Sequence, residues 1–261
     1  MGEIARLDLR LRRRSLYGYA LGLAVYVLVI VALYPSFEND TSLDRLTAHG
    51  STLAALFGAT GSLTTPDGWL GANIYANFGP LLVLVLGIGY GAAALAGQDE
   101  DGTLGLVVAL PLSRARVVLQ KATALVVLTV TTGVATLAAA FVGRAFDLNV
   151  APSALIGVTA GMVLLGIDFG LVAMWIGAVT GSRGTALGVA SALAAASYLI
   201  SSLAPVVSWL HPARYASPFF YAVGDGQLRT GLPVAWAAIL VGIAVVAGAG
   251  SVLAFQRLDV H

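Results

Sequence analysis

The chain has 261 residues, of which 58% are apolar and only 10% charged, with a net charge of +1 and no cysteine. The near-neutral balance is too small to imply a nucleic-acid or acidic-substrate partner, the lack of cysteine excludes disulfides and thiolate chemistry, and no polar stretch is long enough to build a soluble domain. What remains, at a mean hydropathy of +0.89, is an integral membrane protein whose 31 glycines favour closely packed spans.

Residues 1–15 carry Arg6, Arg10, Arg12, Arg13 and Arg14, with Ile4, Leu7 and Leu11 at helical spacing on another face. The pattern predicts a short amphipathic helix lying on an anionic leaflet, although Asp8, Leu9 and Arg12 blur its faces. Span one covers 17–34. Tyr34, Pro35, Ser36 and Phe37 offer no small-x-small cleavage site, so this run reads as a retained anchor and not a signal peptide. Residues 35–73 form the largest polar segment, with Glu38, Asp40, Asp44 and Asp67 against Arg45, a character that fits the outer face. In it, Leu43, Leu46, Leu53, Leu56 and Phe57 predict one or two short surface helices, and Thr64 to Trp69 reads as a turn. Span two, 74–96, holds Gly87, Gly89 and Gly91, which permit close backbone approach.

The loop 97–116 concentrates charge in an otherwise apolar chain. Asp99, Glu100 and Asp101 come first, then an apolar run from Leu104 to Leu110, then Pro111, Ser113, Arg114 and Arg116. A short helix is expected inside it, with Thr103 as N-cap, the acids at the positive end of its dipole and Pro111 as its stop. Its exposed Leu and Val need lipid headgroups or a soluble partner to cover them.

Span three, 117–142, has Lys121 near its inner end, and a tight outer turn with Arg144 and Asp147 follows. Span four, 152–180, contains three small-xxx-small pairs, Gly157 with Gly161, Gly166 with Gly170 and Gly177 with Gly181, and one carboxylate, Asp168. After a turn with Arg183, span five covers 185–204. An outer segment, 205–231, carries Trp209, Tyr215, Phe219, Phe220 and Tyr221 at interface level, and span six covers 232–255. Arg6, Arg10, Arg12, Arg13, Arg14, Arg114, Arg116, Lys121, Arg183 and Arg257 fall inside this topology, against Arg45, Arg144, Arg214 and Arg229 outside. Six spans with both termini in the cytoplasm satisfy the positive-inside rule.

Catalytic chemistry is not legible. There is no G-x-x-x-x-G-K-[ST], so ATP has no ordinary site on this chain. His49, His211 and His261 fall in loops or at the terminus, which argues against a zinc enzyme, and the serines of span five have no intramembrane histidine to act as base. Asp168 stands apart, because a carboxylate near mid-membrane costs a few kcal/mol and must face protein or a water-filled cavity. Two readings stay open for it: a polar contact in a translocation pathway or proton-linked site, and a packing acid that is neutral or bonded to a hydroxyl on another span. No basic residue lies at comparable depth to pair with it.

The order acidic pair, Gly-Thr-Leu, apolar turn, Leu-Pro, Ser-Arg after the second span resembles the cytoplasmic loop of type-2 ATP-binding-cassette transporter permeases. The matching residues are Glu100, Asp101, Gly102, Thr103, Leu104, Leu110, Pro111, Ser113 and Arg114. The N-terminal helix resembles the connecting helix before the first span of that family, and LHPARYASPFFY is similar, more weakly, to the outer half-helices before its last span. The resemblance implies an all-α, six-span, half-size permease in the bacterial inner membrane, with a surface helix at its N-terminus and a coupling helix that docks on an ATPase. It implies two cytosolic ATPase subunits that hold ATP and Mg, no cofactor or catalytic residue on this chain, a second permease copy or homologue, contact with membrane lipid, and export of a drug-like, lipid-like or peptide cargo. Acids before the coupling helix and arginines after it would hold it by pairing with each other or with the partner, so that Glu100 or Arg114 substitution uncouples ATP hydrolysis from transport. The rival readings are a secondary transporter using Asp168, against which the two halves show no obvious repeat, and a membrane scaffold that moves no cargo.

Overall fold

The computed structural model describes residues 2–38, 62–105, 112–224 and 226–257. Among these residues helix is the only regular structure, and six helices are long and apolar enough to cross a membrane. They are span one (Arg13–Ser36), span two (Pro66–Glu100), span three (Arg114–Phe146), span four (Pro152–Thr180), span five (Arg183–Leu203) and span six (Val234–Arg257). The all-α, six-span expectation therefore holds. A separate helix, α1 (Glu3–Leu11), precedes span one. The expected surface helices around Leu43 to Phe57, and the loop residues Leu110 and Pro111, lie outside the described residues.

Local sequence sets several helix starts. Ser113 and Ser182 cap spans three and five, each accepting from the backbone N–H three residues on at 3.3 Å, and Pro152 at the first turn of span four loses no helical bond. The segment Thr64 to Trp69 is a helix start and not the turn expected above. Thr65 caps it, accepting from Gly68 N–H, and Pro66 sits in its first turn, so span two begins here. Span two is irregular, with π-helical turns at Gly71–Tyr75 and Ala93–Gly97 and a break at Asn77, just before Pro80, which brings no N–H to the ladder.

Span four is the axis of the bundle, packing against spans two, three, five and six. Glycine makes this possible on its two sides. A Cβ on Gly87 would lie 2.3 Å from the Gly166 carbonyl oxygen, and one on Gly91 only 1.9 Å from that of Gly170, so backbones of spans two and four touch directly. Gly157 and Gly161 bring the same helix against Leu232 and Ala222 of the segment before span six. In their most apolar windows spans two and four are 72% and 67% buried, but spans one, five and six only 22%. The first two are thus interior, and the last three turn most of their surface to lipid or to another chain.

Candidate functional site

The loop between spans two and three leaves the bundle at the end that carries α1. Span two closes with paired carbonyl bonds: Gly102 N–H to Asp99 O and Thr103 N–H to Gln98 O, both 2.9 Å, with Gly102 at φ +66°. This C-terminal motif needs a left-handed residue, which explains the glycine of the Glu-Asp-Gly-Thr order. The Thr103 hydroxyl donates back to Gln98 O at 3.2 Å, Asp101 is exposed, and Leu104 is fully buried among Ile4, Val117, Val118 and Phe255.

Two of the charged residues that flank the loop are fastened to backbone groups of other spans. Glu100 Oε1 accepts from the backbone N–H of Arg183 at 2.8 Å, at the positive start of span five. Arg114 Nη1 donates to Phe255 O at 2.8 Å and Gln256 O at 3.3 Å, at the negative end of span six, and its guanidinium lies 5.5 Å from the Phe255 ring. Each of these two charges meets orphan backbone groups at a helix terminus. Arg114→Ala is expected to cost about 1–2 kcal/mol, the worth of a charge-assisted helix-end contact, read as a lower melting temperature of the purified permease; Arg116→Ala, at an exposed neighbour, leaves it unchanged.

Beside the loop is a polar cluster that sequence reasoning missed. Asp8 of α1 is buried, and its Oδ2 accepts from Tyr90 of span two at 2.8 Å and from Lys121 of span three at 3.3 Å. Lys121, also fully buried, donates to Gln98 Oε1 at 2.7 Å, the Arg12 guanidinium lies 5.0 Å over the Tyr90 ring, and Ile4 N–H donates to Gln120 Oε1 at 2.9 Å. The face of α1 packed against the spans is accordingly Ile4, Ala5 and Asp8, and Leu7 and Leu11 stay exposed at 52% and 73%. The signal was present in the residues that blurred the amphipathic pattern, since Asp8 and Arg12 follow Ile4 at steps of four.

Asp168 belongs elsewhere, twelve residues before the end of span four, or about 18 Å along the helix axis from that end. It shares a face with Leu171 and Trp175, on which Gly250 of span six packs so close that a Cβ would lie 2.5 Å from the Trp175 ring, and the Ser251 hydroxyl approaches Leu171 O at 3.5 Å. Asp168 is 1% exposed, and neither carboxyl oxygen has a hydrogen-bond partner among the described residues. The buried hydroxyls of Thr129, Thr132 and Thr136 donate to carbonyls of their own helix instead.

On the face formed by spans one, two and five lies a groove of about 1100 Å³. Phe78, Leu81, Val85 and Leu187 supply apolar walls; Asn73, Asn77, Ser191 and Tyr198 are polar, and no charged residue lines it among the described residues. Tyr198 donates to Asn77 Oδ1 at 2.5 Å, just at the break in span two. A second cavity of about 510 Å³ shares the Tyr198 and Phe219 walls and is lined by Asp67, Arg214 and Arg229. There Asp67 and Arg229 form an ion pair that ties the start of span two to the helix Gln227–Thr230, and its hydrogen bond and charge raise the Arg229 pKa above the usual value.

Six apolar helices thus pack around a glycine-lined axis, with a loop fastened to the ends of two further spans and a largely apolar groove on one face. Among curated proteins nothing matches the chain. Residues 3–260, nearly the whole length, match the family model described as ABC-2 family transporter protein, and the chain accordingly belongs to the ABC-2 transporter family, as a multi-pass membrane permease of an ABC transporter.

Proposed function

We infer that this permease forms the export pathway for a drug-like, lipid-like or peptide cargo and is driven by a separate cytosolic ATPase that docks on the loop 97–116. The observation that carries the reading is the anchoring of that loop: Glu100 is fastened to the start of span five and Arg114 to the end of span six. Loop displacement is therefore delivered to four spans at once, the two it connects and the two whose ends it holds. Spans two and five also wall the groove, so the same displacement reaches the cargo path. A second permease copy or homologue closes that open face, two ATPase subunits hold ATP and Mg, and both termini of this chain lie in the cytoplasm of a bacterial inner membrane.

The test is co-purification in detergent with a candidate cytosolic ATPase. Leu104 is buried and is retained; residues 105–110 are replaced by a Gly-Ser linker of equal length. The expected result is capture of the ATPase by the wild type, including under ATP-trapped conditions, and its loss with the replaced loop. No association with the wild type across the candidates would overturn the reading and favour a scaffold or a secondary transporter.

A further inference from the structure

We propose that Asp8 is the positioning residue of the docking loop: through Lys121 and Tyr90 it holds α1 and both ends of the loop as a single docking unit. The proposal rests on the ATPase-coupled reading above and adds a part to it.

One carboxylate oxygen of Asp8 is shared by donors from two spans, Tyr90 on span two and Lys121 on span three. Lys121 reaches on to Gln98, three residues before Asp101, where span two enters the loop, and its neighbour Gln120 accepts from the first turn of α1. The approach at that turn is close, since a Cβ on Gly2 would lie 2.2 Å from the Gln120 side chain. Both the outgoing and the returning end of the loop are thus tied to α1, and Leu104, the first apolar residue of the loop, is buried in the same cluster as Ile4 and Ala5.

A buried ion pair is a weak source of net stability, because desolvation of both charges offsets most of their attraction. Its contribution is directional. The Asp8 oxygen meets both donors only when α1, span two and span three hold this one arrangement, in which Lys121, the only lysine of the chain, is fully buried. A loop that must seat on a partner and pull gains from being held this way, since an unfixed loop loses on ordering what it gains on docking.

The chain has no cysteine, so two introduced thiols give clean labelling. Leu11→Cys on α1 and Gly105→Cys in the loop suit spin labels, because Leu11 is exposed and a Cβ at Gly105 meets nothing within 4 Å. Distances are compared between wild type and Asp8→Asn/Lys121→Met, which leaves no buried charge without its partner. The expected result is an unchanged melting temperature, a broadened distance distribution and a roughly fivefold loss of ATPase capture. Tyr90→Phe, which removes one bond and no charge, shifts distances and capture in the same direction by less and decides the matter if the double variant does not fold. A wild-type distance distribution, or wild-type capture, in variants that are folded overturns the proposal. If the wild type captures no ATPase, the coupled reading fails, and the distance measurement still judges whether Asp8 holds the loop.

Discussion

Gly91→Leu is expected to leave no stable permease. The Cβ alone lies 1.9 Å from the Gly170 carbonyl oxygen and 2.9 Å from its carbon, and both belong to helix backbone that no rotamer change can move aside. Relief requires spans two and four to separate along the contact that also seats Gly87 against Gly166. Gly170 is itself closed in on the other side, where its own Cβ would meet Leu125 at 2.7 Å. Overpacking in a yielding core costs about 1–3 kcal/mol; here the backbone must yield, and the loss exceeds about 3 kcal/mol, enough to unfold a marginal bundle. The measurement is size-exclusion and thermal melting of the detergent-purified variant. Gly89→Leu is the control. Two residues away on the same span, it has nothing within 4 Å of its Cβ and lines the groove, so it melts as the wild type does and any effect falls on transport. Equal stability of the two variants would show that the backbone contact between spans two and four is not the one that holds the bundle.

Asp168→Val is expected to raise stability. A buried polar group without a partner costs about 1–3 kcal/mol, and an apolar side chain of modest volume at the span four to span six contact recovers that cost, worth several degrees in melting temperature. Asp168→Asn keeps an unpartnered amide in the same place and recovers little. Activity measured beside stability then separates the two roles of this carboxyl. If Asp168→Val is more stable and still transports, the acid is a packing residue. If it is more stable and inactive, the acid belongs to the pathway, since a charge-bearing group kept at a cost to stability is a mark of function. Dependence of transport on a proton gradient, lost in Asp168→Val and independent of ATP, would favour a secondary transporter. A lower melting temperature would show that the carboxyl supports the fold, contrary to the geometry at Trp175 and Gly250.

Much of the architecture was written in the chain. Apolar runs of about 20 residues fix where a bilayer is crossed, because only a helix satisfies its backbone there, and Pro152, Ser113, Ser182 and Gly102 punctuate the helices through their own local chemistry. The loop at Glu100 to Arg114 was legible for the same reason, as charge gathered in an apolar chain. Thr64 to Trp69 misled because its Pro-Asp-Gly composition suits a turn and the first turn of a helix alike, and only the helix beyond it decides between them.

Partners in space were another matter. Glu100, Arg114 and Asp8 each had an opposite charge nearby in sequence, yet Glu100 binds the start of span five, Arg114 the end of span six, and Asp8 a lysine 113 positions away. Gly87, Gly89 and Gly91 read alike, but the second faces open space and the other two touch span four. By itself the sequence determined that the chain is helical, how often it crosses the membrane and where it carries charge, since these follow from hydropathy and local backbone chemistry. Only the tertiary structure decided which glycines are contacts, which charges are anchors and which carboxyl stands unpaired, because each depends on the groups that packing brings opposite it.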